Sequence, residues 1–265
     1  MNIFNKFKKT LGQYCAINQF IELSNRCFIS EHGADIADRE QFISLATQNA
    51  ISLTHYDSQA HLKNISRSYI VNVHLCFETF LKDLNEEIKK YGKKQYKEKD
   101  THNGESWLQC VTRNIVEGKL PNDIQKLYDL CEYYRLVRNS SVHDLHDVNE
   151  PPVAFSKLKK YDFNQETKFK KLSAPNYYSD ISFDDFIMFA RSAQELAEYL
   201  YKNLSYDYEK IILDVPTTQK IKFRKYNNDE ERCKKAIKKY VDTFYVIDES
   251  FDTELPRLVE IIMAQ

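Results

Sequence analysis

Apolar residues recur along most of this chain at steps of three and four, the repeat of one helix face. The longest such stripe is Ile70, Val73, Phe77, Phe80, Leu84 and Ile88, which predicts an amphipathic helix over roughly 60–90 with Glu78 beside its apolar face. A second stripe, Ile124, Leu127, Cys131 and Tyr134, follows Pro121 and the capping candidates Asn122 and Asp123, and the next position in its series is Arg138. A third, Phe183, Phe186, Ala190, Ala193, Ala197 and Leu200, opens on Ser182-Phe183-Asp184-Asp185, a start of capping-box type. Weaker patterns predict a helix within Leu11–Leu23, one from Asp35 through Leu53, one over 106–117, a charged one over 229–245 and a short terminal segment at 254–263.

Between these stripes the polar positions mark loops. Ser30-Glu31-His32-Gly33 reads as a turn, and the Lys-rich stretch 91–105, with Gly92 and Gly104, as a loop. Residues 149–180 hold Pro151, Pro152 and Pro175 without a helical period and read as one long loop, a length usually tied to function. After 205 the period shortens: Ile211, Leu213 and Val215, then Pro216-Thr217-Thr218, then Ile221 and Phe223, predict a small β-hairpin. The run Asn139-Ser140-Ser141 is expected to weaken or kink its helix, because these side chains compete for backbone hydrogen bonds.

Composition sharpens the class. Only 5 Gly and 6 Pro in 265 residues disfavour a turn-rich sandwich or barrel, so the chain is expected to be mainly α. A net charge of −1 gives no overall field for polyanions, so any nucleic-acid binding must come from local clusters. Two exist. One is Lys89, Lys90, Lys93, Lys94, Lys97 and Lys99 with Tyr91 and Tyr96. The other is Lys157, Lys159, Lys160, Lys168, Lys170 and Lys171 with Phe155, Tyr161, Phe163 and Phe169. Lysines neutralise phosphates and rings stack on unpaired bases, although a lysine run is most often a solvated loop. The six cysteines form no C-x-x-C pair and read as reduced thiols of a cytoplasmic protein. No signal peptide and no apolar run of about 18 residues is visible, so no membrane partner is expected.

The chemistry concentrates in Tyr134-Arg135-Leu136-Val137-Arg138-Asn139-Ser140-Ser141-Val142-His143-Asp144. Arg138 carries a planar, permanently charged fork suited to phosphate oxygens and occupies an apolar-stripe position. His143 can exchange a proton near neutral pH, and Asn139 can orient a phosphate or a water. Residues five apart on an ideal helix point about 140° from each other, so joining Arg138 to His143 requires a kink at the serines or a second copy of the motif. His143, His146 and Asp147 could hold a metal only with a fourth ligand that the sequence does not name. His74 reads as an ordinary helix histidine, and Ser140 and Ser141 as kink residues without a hydrolase triad behind them.

Arg138-Asn139-Ser140-Ser141-Val142-His143 resembles the Arg-x4-His signature of the HEPN superfamily. Val73–Leu84 looks like the first core helix of such domains and Phe183–Ala190 like a late one, so the resemblance spans roughly 40–205. It implies a HEPN-like antiparallel helical bundle over 36–205, flanked by an N-terminal extension, 1–35, and a C-terminal accessory region, 206–265. It further implies a homodimer with facing motifs and a metal-independent, cofactor-free endoribonuclease that acts as a toxin or anti-phage effector. Arg138, His143 and Asn139 would be catalytic, Glu78 and Ser140 supporting. Lys157, Lys159, Lys160, Lys168 and Lys170 would hold RNA, and a cognate inhibitor or sensor protein is a further expected partner. The alternative is an inactive HEPN-type module that binds RNA or protein, or dimerises, within a toxin–antitoxin or defence complex.

Overall fold

The computed structural model describes residues 1–32, 39–52, 58–142 and 150–264. Among them lie eleven helices and no strand: α1 (Ile3–His32), α2 (Arg39–Gln48), α3 (Ser58–Tyr91), α4 (Trp107–Ile115), α5 (Asn122–Val142), α6 (Glu150–Leu158), α7 (Phe183–Lys202), α8 (Tyr208–Asp214), α9 (Thr217–Arg224), α10 (Glu230–Phe244) and α11 (Phe251–Ala264). The mainly α expectation holds, and no described helix is long and apolar enough to cross a membrane. The predicted hairpin is absent: residues 208–214 and 217–224 are helices. Asp207 caps α8 by accepting from the Lys210 amide, and α8 buries Ile211 and Ile212 while Leu213 is exposed, a helical and not an alternating pattern. Part of the predicted long loop is also helical, since α6 starts on Glu150-Pro151-Pro152. Prolines are tolerated in a first turn because those N–H groups have no helical acceptor.

The chain divides into two compact units, neither continuous in sequence. The first comprises 1–8, 77–121 and 196–265. Its core gathers Phe4 and Phe7 of α1 against Phe80 of α3, with Phe4 stacked on Tyr201 at 5.8 Å. Ser106 and Gln109 close a reciprocal capping box on α4. Asn114 bonds both the backbone N–H and C=O of Lys97, which fastens the 92–106 loop to that helix. A Cβ on Gly92 would lie 2.5 Å from the Ile88 carbonyl oxygen, so the exit from α3 needs glycine.

A half-buried carboxyl, Glu87, lies in this unit. The fully buried Tyr206 donates its hydroxyl to Glu87 at 2.6 Å, and Tyr91, Tyr201 and Tyr245 stand close around it. Burial pushes the Glu87 carboxyl up to about 7 from an ordinary 4.5, against the opposing effect of the Tyr206 hydrogen bond and with a smaller push from Asp83. Between these two values the native state holds a proton that the unfolded chain has released. Stability is therefore fullest below the unfolded value and falls as pH rises through about 7. Glu87→Gln, which still accepts from Tyr206, is expected to match the parent near pH 4 and to exceed it by on the order of 2 kcal/mol at pH 8. Urea titrations at both pH values check this, and a constant difference between the two proteins would refute it.

The second unit comprises 9–76 and 122–195. Its core packs Tyr69, Ile70 and Val73 of α3, Tyr133, Tyr134 and Val137 of α5, and Phe186 and Phe189 of α7, all with no exposed surface. Tyr134 lies 5.0 Å from Phe189, and Tyr69 5.7 Å from Phe186, ring centre to ring centre. At the Ser182–Asp185 start of α7 the Asp185 carboxylate accepts from the Ser182 backbone N–H at 2.9 Å, the reach-back half of a capping box, and the Ser182 hydroxyl also donates to it.

Candidate functional site

The motif lies at the end of α5 in the second unit. Ile124, Leu127, Cys131 and Tyr134 are buried, which holds the stripe in place, and one turn further Arg138 is half-buried. Its Nη1 donates to Asn139 Oδ1 at 3.1 Å, while its Nε is buried without a hydrogen-bond partner. Among the described residues no carboxylate pairs with it. A guanidinium in that state is poorly satisfied by the described residues and keeps its capacity for an anion. Asn139 is half-buried beside it and orients the fork.

The serines of the expected kink lie within α5. Helix α5 runs unbroken to Val142, and Ser140 and Ser141 both donate back to the Val137 carbonyl, at 2.8 and 2.7 Å. Such back-bonding satisfies the hydroxyls inside the helix and slightly weakens it. His143 lies outside the described residues, as do His146 and Asp147 of the conceivable metal cluster. Glu78 belongs to the first unit and pairs with Lys82 at 3.5 Å along α3.

The lysines after the motif divide into two groups. Lys157, Lys159 and Lys170 are exposed. Lys160 pairs with Asp129 at 3.0 Å, and Lys168 is held by Glu166 and Glu195, so their charge is already met. Phe163 and Phe169 are buried and offer no face to a base, whereas Phe155 packs 5.5 Å from both Tyr133 and Tyr177, and Tyr177 reaches the surface. In the earlier cluster Lys89, Lys90, Lys93 and Lys94 pair with Glu98, Asp214, Glu254 and Glu117.

Two features were not singled out by reading the sequence. One is Asp185, fully buried, whose carboxylate accepts five hydrogen bonds: from Tyr134, from the Asn176 backbone and side chain, and from the Ser182 backbone and hydroxyl. It ties the motif helix to the 173–182 loop, and its capping role was the only part with a local signal. The other is a cleft of about 640 Å³ lined by residues that include Arg26, Lys63, Asn176, Ser182, Phe183 and Asp184. Arg26 lies 5.5 Å over the Phe183 ring and donates to Glu22, which also accepts from Tyr69. Burial first, and then the Glu22 charge, raises the Tyr69 phenol well above its ordinary value. Arg138 is not among the residues lining this cleft.

No family model matches the chain, and neither does any curated protein or solved structure.

Proposed function

We propose that this chain is a metal-independent endoribonuclease of HEPN type. In the proposed reaction a ribose 2′-oxygen forms a bond to the adjacent phosphorus while the bond from phosphorus to the 5′-oxygen breaks. His143 moves the proton from the 2′-hydroxyl or to the departing 5′-oxygen, as general acid–base catalysis requires. Arg138 meets the charge that builds on the non-bridging oxygens, and Asn139 holds the guanidinium fork. The products are a 2′,3′-cyclic phosphate and a 5′-hydroxyl. Exposed Lys157, Lys159 and Lys170 would steer the RNA backbone. The protein would act in the cytoplasm as a homodimer, serving as a toxin or anti-phage effector held in check by a cognate inhibitor or sensor.

The observation that carries this reading is the state of Arg138. It is a half-buried guanidinium at the end of an apolar stripe, its Nε is unpartnered, and no carboxylate among the described residues neutralises it. The test is cleavage of single-stranded RNA in EDTA by the purified protein and by His143→Ala. Cyclic-phosphate ends from the parent and no cleavage by an equally stable His143→Ala are expected. Cleavage that survives in His143→Ala or that needs added metal refutes the mechanism, and RNA retention without cleavage favours the inactive binding module instead.

A further inference from the structure

We propose that the solvent face of α1 is a self-association surface on which a second copy of this chain docks antiparallel, with Phe20 on the two-fold axis. The face is exposed where a helix in a packed unit is normally polar. Ile17 is 51% exposed, Phe20 70% and Leu23 61%, while Leu11 and Asn18 on the opposite side are buried. Large apolar side chains grouped along one helix face mark an interaction site.

The occupant follows from the order of residues about Phe20. An isologous contact requires a surface that matches itself after a half-turn. Three residues to either side of Phe20 stand Ile17 and Leu23, both apolar. Four to either side are the small residues Ala16 and Ser24. Seven to either side are Gln13 and Cys27, and eleven to either side are Lys9 and Glu31. All of these are exposed. At about 100° per residue each lies within roughly 60° of the direction of Phe20, so they form one continuous strip. In an antiparallel pair each Ile17 then meets Leu23, and each Lys9 meets Glu31, of the other copy. Charges of opposite sign therefore fall together at both ends of the strip and like charges do not meet. A parallel pair in register would place Lys9 on Lys9 and Glu31 on Glu31, which disfavours it. Among the described residues neither Lys9 nor Glu31 has an ion-pair partner within the chain.

One helix against its copy is a small contact, at or below the roughly 1,200 Å² of standard stable interfaces, so a concentration-dependent dimer is expected. Sedimentation equilibrium of the full chain over about 1–500 μM tests the proposal. The parent should dimerise, and Phe20→Asp should be monomeric throughout that range, because it places two carboxylates on the axis. Leu23→Gln should raise the dissociation constant by roughly tenfold or more. Circular dichroism should stay unchanged, since the altered side chains are outside the core. Lys9→Glu and Glu31→Lys should each weaken the dimer, and the two together should restore it. A parent that stays monomeric overturns the proposal and leaves the face to a different partner. A dimer that survives Phe20→Asp overturns it as well, and a double reversal without rescue overturns the antiparallel register. The readout is association and not cleavage, so this contact can fail while RNA cleavage stands, whereas a monomeric parent counts against the homodimer of the proposed function as well.

Discussion

Arg138→Met is expected to abolish most RNA cleavage while leaving the protein at least as stable as the parent. Removing a donor that stabilises developing charge on a phosphoryl group costs about 10²–10³ in rate. Stability should move the other way. Arg138 keeps a buried Nε–H without an acceptor, and an unmet buried donor costs about 1–3 kcal/mol. Methionine has a similar length and no polar group, so it fills the same stripe position after Tyr134 without that penalty. Initial rates of RNA cleavage and urea denaturation curves, measured on one preparation, decide the matter. Lower stability in Arg138→Met would assign the guanidinium a structural role. Unchanged cleavage would remove it from the proposed chemistry.

Arg138 stands out in the sequence for a local reason. A cation placed in series with Ile124, Leu127, Cys131 and Tyr134 breaks the local pattern, and such breaks often mark functional positions. The long stripes of α3, α5 and α7 are legible for the complementary reason: their stripe residues, Phe183 excepted, are buried. Helix α1 was read too short because Ile17, Phe20 and Leu23 lie on its outer face and blur the amphipathic signal. The region after 205 was misread because alternation over Ile211–Val215 is too short to separate strand from helix. The Asp207 cap, four residues upstream of Ile211, was the better signal. At α6 the prolines suggest a break in the sequence, although a first turn accommodates them. The spatial partners of Asp185 could not be read at all. Tyr134 lies 51 positions away in sequence and Asn176 lies 9 away, and no periodicity encodes a contact of that kind.

Asp185→Ala is expected to destabilise the protein by about 3–5 kcal/mol, because several donors lose a charged acceptor and each such hydrogen bond is worth about 1.5–3 kcal/mol. The carboxylate has no exposed surface and accepts from the Tyr134 hydroxyl, from the Asn176 and Ser182 backbone N–H groups, and from the Asn176 side-chain amide, which also donates to the Ser173 carbonyl. Alanine leaves the buried Tyr134 hydroxyl and the half-buried Asn176 and Ser182 backbone amides without this acceptor, and also removes the reach-back bond at the start of α7. Asp185→Asn is the sharper variant, because it keeps the volume but turns one acceptor into a donor that faces other donors. On Oδ2 that donor would confront the Asn176 side-chain amide and both Ser182 groups, and on Oδ1 Tyr134 and the Asn176 backbone. Neither orientation of the amide satisfies all five, so a loss of about 2–3 kcal/mol is expected from Asn as well. Because Asn176 and Ser182 lie in the loop that Asp185 secures, that loop should be cut by protease sooner in both variants than in the parent. Denaturant titration combined with limited proteolysis measures the two effects. A loss below about 1 kcal/mol, the scale of an ordinary surface cap, would show that Asp185 only caps α7 and does not hold the motif helix to the loop.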